Sequence, residues 1–186
     1  MTVVDPGWIR PQPGWVCAEC GFDYDACTRE TVAATVRGFG RRYRAPLTRG
    51  LPGEDLDALL RAHPFPDAWS SLEYACHARD ALVLSNFRIK LVLAEDRPMI
   101  VTVHRDEAVT SNAYNAQDPD RIADEIASAS DRLATRLDTV TPGGWQREGV
   151  SEYPNMTVQY LAANAAHEGT HHLLDIGRTL RAARGR

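Results

Sequence analysis

The spacing of apolar residues along the chain predicts helices over most of its length. In the segment from about residue 29 to 44, apolar side chains recur every three or four positions and would share one helical face: these are Val32, Val36, Phe39 and Tyr43. Thr28 is a suitable N-cap for this helix, and Pro46 is expected to end it. A short helix over 54–62 should follow.

Three longer elements complete the pattern. A helix from residue 67 or 68 to about Glu95 carries apolar or small residues all round, which is typical of a buried central helix. Asp118-Pro119 begins another, with Asp as N-cap and Pro at the first helical position, and it should end near Val140. The last helix is predicted from about Met156 to Arg184.

The segment Met99–His104 is strand-like, but no partner strand is evident, so we interpret it as an extended connection. Four main helices and almost no sheet predict an all-α fold, a four-helix bundle with long crossing loops. Residues 1–27, rich in Pro, Gly and Trp and containing Cys17-x-x-Cys20, are expected to form an extended N-terminal arm. The bundle itself would span residues 28–186.

Composition and charge limit the classes of function. The 186 residues carry a net charge of −4 without a basic stripe, which argues against nucleic-acid binding. No apolar run approaches the ~20 residues of a membrane span, no secretory start is evident, and four cysteines are too few for a disulfide scaffold. We expect a cytoplasmic protein that acts on a small molecule and binds neither nucleic acid nor membrane; homodimer formation stays open.

Metal-ligand spacing occurs twice on the last helix, because residues four apart share a face. One pair is His167 with His171 and the other is Glu168 with His172. At about 100° per residue, Glu168 and His172 lie on the edge of the apolar stripe, whereas His167 and His171 lie near the opposite, polar side. A carboxylate and an imidazole at the core margin are costly unless a metal or another partner compensates them. This favours Glu168 and His172 as ligands, with His167 and His171 as the alternative pair.

The central helix offers a third ligand, His77, which shares its face with Glu73, Asp80 and Arg88. A solvated charged stripe with a passive histidine is the simpler interpretation of this face taken alone. The Glu-x-x-x-His pair on the last helix, Glu168 with His172, favours a metal site that includes His77 instead. Three ligands with an open position are typical of a catalytic metal site.

These residues also carry a resemblance to a known family. The segment from Trp69 to Asp80 resembles the second helix of the DinB-like superfamily, and the segment from Glu168 to Ile176 resembles its last helix. The similarity extends over about residues 28–184. It implies a four-helix bundle with a divalent metal held by one histidine on the second helix and a His-x-x-x-His on the fourth. Glu168 replaces the first histidine of that pair, as a Glu does in the mycothiol-dependent maleylpyruvate isomerase branch, so the implied ligands are His77, Glu168 and His172.

The resemblance implies a metal-dependent enzyme, and for this branch a thiol-dependent transferase or isomerase. Its cofactors would be a divalent metal, zinc first and nickel or iron as alternatives, and a low-molecular-weight thiol of the mycothiol type. Asp80, Glu73 or His171 would move the proton, and Arg88 is predicted to bind the cofactor. Two other functions stay open: a non-catalytic, stress-linked protein with a structural or absent metal, and a hydrolase that activates water.

Cys17-x-x-Cys20 has three interpretations of its own, of which a redox motif is the least favoured because a turn, Gly21-Phe22-Asp23, follows it where a thioredoxin-type motif would open a helix. The two thiols could bind structural zinc together with Cys27, although a zinc ribbon needs a second pair at similar spacing. The favoured interpretation is that these cysteines are buried or incidental in an arm packed on the bundle. His104, in the extended connection, is expected to reach the mouth of the predicted metal-binding pocket.

Overall fold

The computed structural model describes residues 14–101, 105–151 and 156–186. Seven α-helices lie in these ranges: α1 Arg29–Arg37, α2 Phe39–Thr48, α3 Leu56–Arg61, α4 Ser71–Ala94, α5 Arg105–Ser111, α6 Pro119–Asp138 and α7 Val158–Ala183. Single 3-10 turns occupy Tyr114–Ala116 and Gly144–Gln146. The strands β1 Glu148–Gly149 and β2 Met156–Thr157 form a two-residue antiparallel pair.

The long helices pack as a bundle of four rods. The rods are α4, α6, α7 and the consecutive helices α1 and α2, which act as one broken rod. α4 contacts both α6 and α7, while α1 and α2 contact α6 and, less extensively, α7. The predicted all-α four-helix bundle is therefore confirmed. In the described part of the chain, no helix is both long and apolar enough to cross a membrane.

The first rod differs from its prediction at both its middle and its end. α1 stops at Arg37, and α2 begins at Phe39 and continues through Pro46 to Thr48. Pro46 removes only its own N–H from the ladder, and the helix ends within a turn of it. Close packing of α2 on α6 favours glycine at position 40, because a Cβ there would lie 3.0 Å from the Cα of Ala127.

α4 begins later than the apolar pattern indicated. Ser70 is its N-cap, and its Oγ accepts a hydrogen bond from the Glu73 backbone at 3.1 Å. The Glu73 carboxylate accepts in return from the Ser70 backbone at 2.7 Å. This reciprocal capping box satisfies two amides that would otherwise be orphaned at a buried helix start.

The predicted extended connection does have a partner. Met99 pairs with Val150 in a parallel bridge, the Ile100 amide donates to the Val150 carbonyl at 2.7 Å, and the Val150 amide donates to the Pro98 carbonyl at 2.8 Å. The expectation of an unpaired segment is therefore wrong for Met99 and Ile100. Residues 102–104 of that segment lie outside the described ranges.

The described part of the N-terminal arm, residues 14–27, lies against α7. Glu19 forms an ion pair with Arg178 at 2.7 Å, and the Tyr24 hydroxyl donates to Asn164 Oδ1 at 3.2 Å. This segment therefore covers a face of α7 that the bundle core does not. The domain boundary between residues 27 and 28 stays a prediction.

The core meets α7 most tightly at Gly169. A Cβ at this position would lie 2.4 Å from Cε2 of the buried Phe39, and the Tyr43 hydroxyl donates to the Gly169 carbonyl at 2.9 Å. Since Glu168 is the neighbouring residue, these contacts on α2 fix the turn of α7 that carries it.

We expect Gly169→Ala to lower the free energy of unfolding by about 1–3 kcal/mol, because the added methyl overpacks a closed core. Gly177→Ala is the matched control on the same helix, where the nearest atom would be Arg181 Nη1 at 3.7 Å. That control should be neutral or gain up to ~1 kcal/mol from helix propensity. Urea unfolding of the chelator-treated proteins measures both, and equal stabilities would contradict the packing argument.

Candidate metal centre

One carboxylate oxygen lies between two imidazoles where α4 meets α7. Glu168 Oε2 is 3.3 Å from His77 Nε2 and 3.3 Å from His172 Nε2. His77 is contributed by α4, and Glu168 and His172 lie one helical turn apart on α7. The ligand atoms of all three lie within 4.8 Å of one another. The structure thus brings together the three residues that the sequence and the resemblance singled out.

The spacing of these atoms suits a bound cation. Zinc–nitrogen and zinc–oxygen bonds of about 2.0–2.1 Å in a tetrahedral site place the two ligand atoms about 3.4 Å apart. The observed 3.3 Å separations match that edge, and they exceed the usual length of an N–H···O hydrogen bond. Two imidazoles and a carboxylate form a donor set that zinc, nickel or iron accepts.

Asp175 orients one of the two imidazoles. Its Oδ2 lies 2.9 Å from His172 Nδ1 and can accept the proton of that nitrogen. With Nδ1 protonated, the lone pair of the neutral ring is on Nε2, the atom that faces Glu168. Metal-binding histidines almost always have such a partner, which fixes the ring and raises its basicity.

The electrostatics of the cluster favour a positive charge between the ligands. Burial alone would lower the pKa of His172, but its hydrogen bonds to Asp175 and Glu168 outweigh burial and raise that pKa to about 9. Burial alone would raise the pKa of Glu168, yet His172 and His77 hold it well below its usual range. In the metal-free protein a proton on His172 therefore supplies the charge, and a cation would displace it.

Aromatic rings flank the triad. Trp69 lies 5.1 Å from His77 between ring centroids, and Tyr74 stacks on His172 at 5.4 Å. Both aromatic residues are half-buried, so they extend from the ligands to the surface. The side chains of the two histidines retain 8% exposure and that of Glu168 retains 15%, so solvent reaches the cluster only narrowly.

Glu73 and Asp80, which were predicted to move protons, make contacts with residues outside the triad of His77, Glu168 and His172. Glu73 is occupied by the capping box of α4, with His63 Nε2 3.5 Å from its carboxylate. Asp80 pairs with Arg79 at 2.8 Å and accepts a hydrogen bond from the Tyr114 hydroxyl. Neither contact leads to the triad, and the catalytic roles of Glu73 and Asp80 stay predictions.

Two further predicted residues also point to other partners. His171 Nδ1 lies 3.5 Å from Cys17 Sγ, and its Nε2 lies 3.7 Å from Asp175. Arg88 follows His77 by eleven residues, about 16 Å along α4, and donates to the Val101 carbonyl at 2.6 Å. Their proposed roles in catalysis and cofactor binding stay predictions. His104 lies outside the described residues.

The hydrogen-bond partners of His77, Glu168 and His172 are less visible in the sequence than these three residues themselves. Asp175 follows His172 by three residues, so helical spacing could have indicated it. The sequence placed His167 and His171 near the polar side of the last helix, but the structure buries His167 Nε2. Residues 14–27 cover that face, and helical periodicity carries no information about such a segment.

The comparisons with known proteins agree with this architecture. The family model of the DinB superfamily matches residues 28–176. The chain belongs to the DinB superfamily. A solved structure of YfiT from Bacillus subtilis, described as "a probable metal-dependent hydrolase with an unusual four-helix bundle topology", is similar with a TM-score of 0.71 and 17% identity. That match covers 84% of this chain and 87% of YfiT, and at this identity it supports the fold. No curated protein matches the sequence.

We expect Asp175→Asn to weaken metal binding at this centre by about 10–100-fold, because the amide no longer supports the His172 ring as a carboxylate does. Competition against a chromophoric chelator measures the change. Asp131→Asn, at an exposed position on α6, is the matched control and should leave affinity unchanged. Equal affinity in both variants would contradict the orienting role of Asp175.

Proposed function

We propose that this protein is a metal-dependent enzyme in which His77, Glu168 and His172 hold a divalent cation, zinc first, and a low-molecular-weight thiol is the nucleophile of a transfer or isomerisation. The single observation that carries the proposal is the Glu168 oxygen placed 3.3 Å from both Nε2 atoms. Membership of the DinB superfamily supports it.

Three protein ligands distinguish this centre from a closed structural site, which has four. One carboxylate and two neutral imidazoles leave one unit of positive charge on a bound dication, and an anionic nucleophile would neutralise it. A divalent cation at this place would lower the pKa of a thiol and stabilise its thiolate at neutral pH.

The side chains around the centre would bind the metal, orient its ligands and limit the access of water. His77 and His172 bind from opposite helices, and Asp175 holds the His172 ring in the orientation that presents Nε2. The rings of Trp69 and Tyr74 form an apolar wall beside the two histidines, which limits access of water and suits the apolar part of a substrate.

A metal-dependent hydrolase is the second candidate, with water in place of the thiol. The observation that favours it is the similarity to YfiT, a probable metal-dependent hydrolase of the same bundle architecture. The two candidates share the metal ligands and differ in the nucleophile, so one experiment can separate them.

Cobalt substitution followed by thiol titration tests the choice. In a Cys17→Ser/Cys20→Ser variant, which removes the thiols close to α7, we expect added mycothiol, bacillithiol or glutathione to produce a thiolate-to-cobalt charge-transfer absorption. The zinc form of the same protein should accelerate thiol addition to a small electrophile. His77→Ala should abolish both signals, whereas His63→Ala should preserve them.

The outcomes are distinct. Ester hydrolysis that depends on His77, without any thiol absorption, would replace the thiol proposal with the hydrolase. In the double cysteine background, metal that stays bound after His77→Ala would refute the ligand set. Metal binding without either activity would support the non-catalytic alternative.

A further inference from the structure

A second group of potential ligands lies beside the candidate centre and shares none of its residues. Cys17 and Cys20 come from the turn before α1, and His167 and His171 come from α7. One ligand atom from each of the four lies within 4.8 Å of all the others. Cys27, the third cysteine of the sequence interpretation, is instead buried in the apolar core.

The backbone between the two cysteines forms a tight turn. The Gly21 amide donates to the Cys17 carbonyl at 2.8 Å, and the Cys17 amide donates to the Phe22 carbonyl at 2.9 Å. Gly21 has φ +71°, a conformation that favours glycine. The Phe22 amide also hydrogen-bonds the Cys20 sulfur. The turn therefore presents both sulfur atoms to one point.

His167 presents an unsatisfied nitrogen to the same group. Its Nδ1 is 3.1 Å from the Tyr24 hydroxyl, which itself donates to Asn164 Oδ1 at 3.2 Å. The hydroxyl oxygen can therefore accept the Nδ1 proton, and the lone pair of the ring is then on Nε2. That Nε2 is buried and has no hydrogen-bond partner among the residues that the structure describes. A buried polar atom without a partner is costly, and coordination would satisfy it.

His171 has the spacing of a second ligand. Its Nδ1 lies 3.5 Å from Cys17 Sγ. A tetrahedral zinc with bonds of about 2.3 Å to sulfur and 2.0–2.1 Å to nitrogen places these ligand atoms about 3.6 Å apart. The rings of Trp15 and Phe22 lie 5.6 Å and 5.3 Å from the His167 ring between centroids and shield it from water.

We propose that Cys17, Cys20, His167 and His171 bind a structural zinc ion, which fastens residues 14–27 to α7 beside the candidate centre. Four protein ligands leave no open position, and two thiolates balance the charge of the ion. Binding releases the thiol protons to solvent. Asp175 connects the two sites, since its Oδ2 lies 2.9 Å from His172 Nδ1 and 3.7 Å from His171 Nε2.

Zinc content of the full-length protein, purified under reducing conditions, tests this site separately from the proposed enzyme centre. We expect Cys17→Ser/Cys20→Ser to lose one equivalent of zinc per chain relative to wild type and to retain the zinc that depends on His77. His77→Ala should lose only the other equivalent. Cys27→Ala is the control for loss of a buried thiol and should keep the wild-type zinc content.

Cobalt provides a signature that can be read in the wild-type protein and does not depend on the folding of the cysteine variant. Cobalt-loaded wild-type protein should show thiolate charge-transfer absorption without any added thiol, and His77→Ala should keep it. An organomercurial should release one zinc per two thiols modified in the wild type. Unchanged zinc content in the double cysteine variant, no charge-transfer absorption, or a Cys17–Cys20 disulfide in the reduced preparation would each overturn the proposal. Zinc at this site alone would support it and refute the enzyme centre.

Discussion

The burial of the Glu168 carboxylate between two imidazoles is the interaction on which the arrangement of α4 and α7 depends. An unpaired carboxylate in this position would cost several kcal/mol, so one positive charge must accompany it. Without a metal, the proton on His172 supplies that charge, as the raised pKa of this residue indicates. A dication would replace the proton and bind two helices at once. Ligand occupancy and bundle stability are therefore linked, because an ion that binds only the folded state stabilises it.

The opposite side of the same helical turn is closed by the core. Phe39 leaves no room for a side chain at Gly169, and Tyr43 holds the Gly169 carbonyl. Apolar packing thus fixes the rotation of α7 to within a small angle, and this rotation directs Glu168 and His172 toward His77. Gly169 thus helps to position the candidate ligands although it is not one of them. Because the residues that contact it lie on α2, the broken first rod belongs to the same structural unit as the centre.

Helical periodicity was sufficient to predict the bundle and to prefer Glu168 and His172 over the neighbouring pair, because both properties depend on local geometry within one element. Periodicity gave no sign of the capping contact of Glu73, although the Ser70-x-x-Glu73 pattern of a capping box is visible in the sequence. Periodicity could not predict the burial of His167, because residues 14–27, which cover it, are distant in sequence and have no helical repeat. The pairing of Met99 with Val150 was hidden for the same reason.

α7 carries two candidate ligand pairs, His167 with His171 and Glu168 with His172, which have the same four-residue spacing and are offset by one residue. An offset of one residue rotates the second pair by about 100°, so the two pairs face different neighbours. The inner pair meets α4, and the outer pair meets the cysteine turn. Asp175 lies one turn beyond both and reaches a histidine of each pair. A shift of residues 14–27 would therefore act on the His172 ring through a shared carboxylate, so the N-terminal segment is a physical neighbour of the candidate centre and not a detached appendage.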